Sequence, residues 1–147
     1  MSHARFDAVR LNVVHDGNGT ETMVLLHGLL FSHRMFDAQV EALRDRFHCV
    51  RMDFRGQGGS EVTDGGYDLD TLADDVIALI ESLDADRVHL LGFSMGGMTA
   101  MRVALKRPDL LSSLVLMNTS AEPEKWTQRP RFALLNLAAR FLGLEKV

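Results

Sequence analysis

The chain has 147 residues and a formal net charge of −4, with 46% hydrophobic and 24% charged residues. That size and balance fit one globular domain rather than a disordered chain, and the acidic balance argues against the basic face of a nucleic-acid binder. A single cysteine, Cys49, rules out an internal disulfide and fits a reducing, cytoplasmic setting, while the sequence shows neither the apolar run of a signal peptide nor a membrane span. From the N-terminus, Phe6 to His15 holds two short extended stretches, a hairpin or a sheet edge, followed by the turn cluster DGNG, Asp16 to Gly19. TMVLLHG is a short continuous apolar run, the pattern of a strand buried on both faces of a parallel sheet. Over SHRMFDAQVEALRDRF, Met35, Phe36, Val40, Leu43 and Phe47 recur at helical spacing and predict an amphipathic helix. HCVRMDF predicts another buried strand, and RGQGGS after it a loop. DLDTLADDVIALIESL is the clearest helix. Leu72, Val76, Leu79, Ile80 and Leu83 form its apolar face, and Asp70, Asp74, Asp75 and Glu81 are expected to face water. Then come a strand in RVHLLGF, a helix in MGGMTAMRVALKR stopped near Pro108, a strand in LSSLVLMNTS, and a helical stretch rich in Phe and Leu from Trp126 to Leu144. Strands alternating with helices predict an α/β architecture, a mostly parallel sheet with helices on both faces.

Ligands bind beyond the carboxyl ends of strands in such sheets. His27-Gly28, the segment Asp53 to Ser60, Ser94 and Asn118 all fall at such ends. Gly92-Phe93-Ser94-Met95-Gly96 matches G-x-S-x-G between a predicted strand and a predicted helix. A nucleophile on a sharp turn needs small neighbours two residues away, so that strand and helix can approach. The bland alternative is a serine that caps a helix beside packing glycines. GQGG lacks the full G-x-G-x-x-G pattern of a dinucleotide loop.

On LLHGLL, DFRGQGGS and GFSMGG, in this order, the chain resembles the α/β-hydrolase superfamily over roughly residues 6 to 120. LLHGLL is similar to the family's oxyanion loop, DFRGQGGS to its D-x-R-G-x-G-x-S loop, and GFSMGG to its nucleophile elbow. Within the family it is most similar to serine esterases, lactonases and cofactor-free perhydrolases. Dehalogenases and epoxide hydrolases are similar too, but place aspartate where Ser94 stands. The resemblance divides the chain into residues 1–120, the N-terminal portion of the core domain, and 121–147, the start of a cap or lid helical region.

The resemblance implies a catalytic nucleophile at Ser94, oxyanion donors in the backbone N–H groups of Leu29 and Met95, loop support from His27 and Gly28, and elbow glycines at Gly92 and Gly96. It implies no metal and no cofactor, and a small ester, lactone or thioester as substrate. Leu29, Leu30, Phe31, Phe93 and Met95 would wall the pocket and favour an apolar acyl group. His33 is expected to be a solvated or capping histidine, with pocket lining as the alternative. His3, His15, His48 and His89 are expected to be structural or on the surface, Cys49 plain core, and Asp53 and Arg55 structural ties of their loop.

The family's chain order is Ser, then Asp or Glu, then His. No histidine follows Ser94 in this sequence. Glu122 and Glu124 could serve as the acid but read as solvated loop residues, and Phe132, Leu135, Phe141 and Leu142 form an apolar stripe with nothing left to cover it. The chain therefore reads as the N-terminal part of a hydrolase cut after the sixth strand. The missing part would be a continuation of the polypeptide, a complementary chain, or a second copy across the exposed sheet edge. A non-catalytic fragment acting as an assembly module, and a related carbon–carbon hydrolase, lyase or perhydrolase, remain as rival functions.

Overall fold

Four apolar runs and their crossovers build the sheet. A computed structural model describes residues 2–6, as backbone alone, and 9–122. The strands are β1 (Ser2–Phe6), β2 (Val9–Asp16), β3 (Glu21–Leu26), β4 (Phe47–Met52), β5 (Val88–Phe93) and β6 (Leu111–Met117). The helices are α1 (Asp37–Leu43), entered through a 3-10 turn at His33–Phe36, α2 (Leu69–Ser82) and α3 (Met95–Lys106). The spatial order is β1-β2-β4-β3-β5-β6. β1 with β2 and β2 with β4 pair antiparallel, and the remaining pairs are parallel. The first two extended stretches are thus both a hairpin and the sheet's edge.

Side chains alternate across each strand, and the alternation decides which helix covers which face. Val24, Leu26, Val50, Met52, Val88 and Leu90 pack with Leu72, Val76, Leu79 and Ile80 of α2 and with Ala100 and Val103 of α3. Met23, Leu25, Cys49 and Leu91 face the other way, against Phe36 and Val40. Burial of each such side chain contributes about 1.5–3 kcal/mol. Cys49 is core, as expected, and burial pushes its thiol's pKa up.

Two expectations need correction. The helix predicted up to Phe47 is only the 3-10 turn and the seven residues of α1, because Phe47 opposes Glu21 as the first pair of the parallel β3–β4 ladder and must be extended. Asp75 does not face water. It lies on the buried side of α2 at 4% exposure, joined to Arg55. Asp68 caps α2 instead, accepting from the Asp70 and Thr71 N–H groups at 3.1 and 2.9 Å.

From the middle strand β3 the chain steps to β4 on one side and later crosses to β5 on the other. The connections leaving β3 and β5 diverge, which opens a crevice at their carboxyl ends. His27 follows β3, Ser94 follows β5, and Leu26 stands opposite Gly92 in the ladder. Among the described residues β6 is the outer edge, with Val115, Leu116 and Met117 exposed. Glu124, the apolar stripe and nearly all of the expected cap region lie outside the described residues.

Candidate active site

Strand β5 ends at Phe93 and α3 begins at Met95, so the whole reversal falls on Ser94, at φ 52° and ψ −116°. A non-glycine residue there is strained by about 1–3 kcal/mol and persists only where its surroundings over-determine it. Here they do. The Ser94 N–H donates to the Met117 carbonyl at 3.0 Å. Its carbonyl accepts from the Gly97 and Met98 N–H groups at 2.9 and 3.1 Å and from the Thr119 hydroxyl at 2.7 Å. The Ser94 hydroxyl caps nothing and has no hydrogen-bond partner among the described residues. The capping alternative is therefore not what the geometry shows.

The glycines are required by close backbone approach. A Cβ on Gly92 would run into the Gly96 carbonyl, and one on Gly96 into the Leu26 and His27 carbonyls. On the other side of the crevice, a Cβ on Gly28 would sit 3.4 Å from the Ser94 Cβ and 3.0 Å from the Phe93 ring. The His27-Gly28 loop and the serine, 67 positions apart in sequence, therefore meet.

His27 is fully buried. Its Nδ1 lies 2.7 Å from the Gly28 carbonyl and its Nε2 accepts the Phe54 N–H at 3.0 Å. One ring nitrogen donates and the other accepts, which is the neutral tautomer. Burial, outweighing the Gly28 contact and the Asp53 charge, pushes its pKa down. With both nitrogens engaged, His27 is not a base for Ser94. Further along the loop, Phe31 N–H donates to the Gly28 carbonyl at 3.2 Å and Leu30 N–H to Gln57 Oε1 at 2.7 Å. The Leu29 N–H has no partner among the described residues.

The loop is held from below by Asp53, which is fully buried. Asp53 accepts from His33 N–H at 2.5 Å, His33 Nδ1 at 3.0 Å, Asn12 Nδ2 at 2.8 Å and Gly59 N–H at 2.9 Å. Burial alone would raise its pKa, but these hydrogen bonds outweigh it and hold the carboxyl below the usual range. His33 is thus buried and bonded to Asp53, correcting the expectation of a solvated or capping residue: a fully buried carboxylate draws both its N–H and its ring. Arg55 binds Asp75 through Nε and Nη2 at 2.8 and 2.7 Å. Both loop charges are structural ties, Asp53 to Asn12, His33 and Gly59, and Arg55 to Asp75. Asn12 and Gln57 were missed. Asn12 leaves a signal, a polar residue inside the apolar strand RLNVV, whereas Gln57 leaves none.

His15 is exposed, and His48 and His89 are partly buried. His15 and His48 meet across β2 and β4, with ring nitrogens 3.0 Å apart, and His89 meets Ser113 at 2.8 Å. Glu122 is exposed, as expected of a loop residue. Among the described residues no three His, Cys, Asp or Glu side chains are grouped to hold a metal, and no helix is long and apolar enough to cross a membrane. An open groove lined by Leu69, Met98, Met101, Leu105 and Leu114 lies between α2, α3 and β6, but neither Ser94 nor the 27–31 loop borders it.

Two buried groups contribute to the acid stability. The depressed His27 pKa means that the unfolded chain binds a proton the folded chain refuses. His27's contribution is complete above about pH 6.5 and falls as the pH drops below it, and Asp53's contribution falls below about pH 4. In a His15→Gln background, which removes another histidine of depressed pKa, urea midpoints are expected to be level from pH 8 to 7. They should decline below about 6.5 and steepen below about 4. A level profile down to pH 5 would contradict the neutral, buried His27.

Residues 21–144 match the family model described as the alpha/beta hydrolase fold. The AB hydrolase superfamily protein YisY of Bacillus subtilis (strain 168) is 37% identical over 125 residues, covering 84% of this chain and 46% of YisY. Among solved structures, the enol-lactonase from Burkholderia xenovorans LB400 superposes with a TM-score of 0.81 at 32% identity, over 96% of this chain and 58% of that one. A thermophilic esterase from Thermogutta terrifontis superposes with a TM-score of 0.82 at 31% identity, over 90% of this chain and 48% of that one. The chain spans about half the length of the curated relatives it matches.

Proposed function

The chain belongs to the alpha/beta hydrolase fold family, and from that premise we propose that it is the nucleophile-bearing part of a serine hydrolase acting on a small carboxylic ester, lactone or thioester. The observation that carries this reading is Ser94 itself. Its backbone is forced into a strained turn, its hydroxyl is left without a partner among the described residues, and Gly28 of the facing loop lies against it. Ser94 Oγ attacks the acyl carbonyl, the C–O or C–S bond breaks as the alcohol or thiol leaves with the serine's proton, and a water then cleaves the acyl-Ser94 ester, releasing the acid and restoring the hydroxyl. The oxyanion that forms is met by the N–H of Leu29 and the N–H of Met95. Met95 is the first residue of α3, where the helix dipole favours negative charge. Loss of one such donor typically lowers the rate about 10²–10³-fold.

The histidine that takes the Ser94 proton, and the acid that orients it, come from polypeptide beyond this chain, since no histidine follows Ser94 in it. Leu29, Leu30 and Phe31 are more than half exposed, and Phe31 meets Phe93 edge-on at 6.3 Å, which suits an apolar acyl group. The enol-lactonase and esterase neighbours support a lactone or ester over the carbon–carbon hydrolases and lyases of the family. A cytoplasmic setting is in keeping with the one cysteine of this chain being buried and unpaired. A second reading, a non-catalytic assembly module joined to a complementary chain or a second copy, rests on the exposed apolar edge of β6.

The test is intact mass after a fluorophosphonate serine probe, on the wild type and on Ser94→Ala. The expected result is one adduct on the wild type and none on Ser94→Ala, with any complementary polypeptide visible in the same spectrum. Removal of a triad member leaves about 10³–10⁴-fold of catalysis over water, so slow labelling by this chain still counts. A folded wild type without an adduct would overturn the claim that Ser94 is reactive here.

A further inference from the structure

We propose that Gln57 is a positioning residue for the oxyanion side of the site, holding Leu30 and with it the neighbouring Leu29, whose N–H the serine-hydrolase reading makes an oxyanion donor. The proposal rests on the serine-hydrolase reading above. Leu30 has φ 64° and is 74% exposed. A branched side chain in the left-handed region is unfavourable, and an exposed one cannot be held there by packing. Two hydrogen bonds hold it: the Phe31 N–H on the Gly28 carbonyl closes a turn around Leu29 and Leu30 at 3.2 Å, and the Gln57 side chain adds the shorter one, its Oε1 accepting the Leu30 N–H at 2.7 Å. An N–H donor requires the oxygen rather than the nitrogen of the amide to face it.

The segment from Asp53 to Ser60 grips the oxyanion loop at three successive points. Phe54 N–H binds His27 at the loop's start, Gln57 binds Leu30 in its middle, and Asp53 binds His33 at its end. The outer two points are buried, and cutting either strands a buried polar group. The middle one is exposed, and it acts on the peptide immediately after the proposed donor. Gln57's own backbone does not depend on its side chain. Its N–H donates to the Phe54 carbonyl and its carbonyl accepts the Ser60 N–H, both at 3.0 Å. A change of side chain therefore leaves the turn standing. A neutral acceptor also suits the place, because a carboxylate would set a negative charge near a developing oxyanion.

The test uses the full chain and two variants, Gln57→Met, of similar length without the acceptor, and Gln57→Glu, which keeps an oxygen. Amide exchange at Leu30 is read by NMR beside the rate of fluorophosphonate labelling at saturating probe. Gln57→Met is expected to lose Leu30 protection tenfold or more and to label at least tenfold more slowly, with the apparent probe affinity and melting temperature little changed. Gln57→Glu is expected to restore the protection. Gln57→Met with wild-type protection, or labelled at the wild-type rate, would overturn the proposal alone. A folded wild type that does not label at all would overturn the nucleophile reading and the proposal with it.

Discussion

Asp75→Ala is expected to destabilise the fold by about 3–5 kcal/mol, the usual cost of leaving one member of a buried ion pair without its partner. Arg55 is 7% exposed and Asp75 4%, and two parallel hydrogen bonds of 2.8 and 2.7 Å join them. Removal of the carboxylate leaves a guanidinium that cannot shed its charge and, among the described residues, has only bonds to Asp75 to satisfy it. Typical domains have about 5–15 kcal/mol in total, so the loss should be plain in a urea titration at pH 7. Asp74→Ala is the control. Asp74 is the adjacent residue on α2, but its side chain is 61% exposed in a surface pair with Lys106, and such pairs contribute little. Equal, small losses in the two variants would mean that the Arg55–Asp75 pair does not hold the loop to α2.

Gly96→Ala should cost less stability but be worse for the site. The added Cβ would meet the carbonyl oxygens of Leu26 and His27, which are backbone atoms with no flexible end to swing away. Accommodation requires α3 to move off the end of β3. Overpacking of this kind costs about 1–3 kcal/mol and occasionally more. The same shift moves the Met95 N–H and the Ser94 turn, so the fluorophosphonate adduct should fall with the melting temperature. Gly65→Ala, where nothing lies within 4 Å of the added atom, should leave both measurements unchanged. An undamaged Gly96→Ala would show that α3 does not pack as closely on β3 as the structure places it.

These contrasts bear on what the sequence could reveal. The four parallel strands and α2 were legible, because continuous apolar runs and a 3.6-residue stripe are local signals. The elbow was legible for a different reason. G-x-S-x-G is short, but a buried strand before it and a helix after it leave the serine alone on the turn. Asp75 shows the limit. Helical periodicity gives the side of a helix, and Asp75 sits among apolar neighbours on the covered side, yet a carboxylate is assigned to water unless its partner is known. That partner, Arg55, lies 20 positions away on another element. His33 failed for the same reason, since nothing near it in sequence announces Asp53. Phe47 fitted the stripe of α1 because strand and helix periodicities coincide over so few residues. Gln57 carries no pattern at all, since its role exists only once two loops have met.

The two halves of the site are also unlike in how they come into being. The serine's turn lies between β5 and α3, which are contiguous in the chain, but it is anchored by Met117 and Thr119, which come later in sequence. The loop facing it is secured by ties between residues 20 to 41 positions apart, among them Asn12 with Asp53 and Leu30 with Gln57. Long loops must close before such contacts are rewarded. The loop's tie partners, residues 12 to 57, all emerge from the ribosome before Ser94, whereas the serine's turn gains its anchors only once Met117 and Thr119 have followed, so the turn is the later of the two halves to be secured.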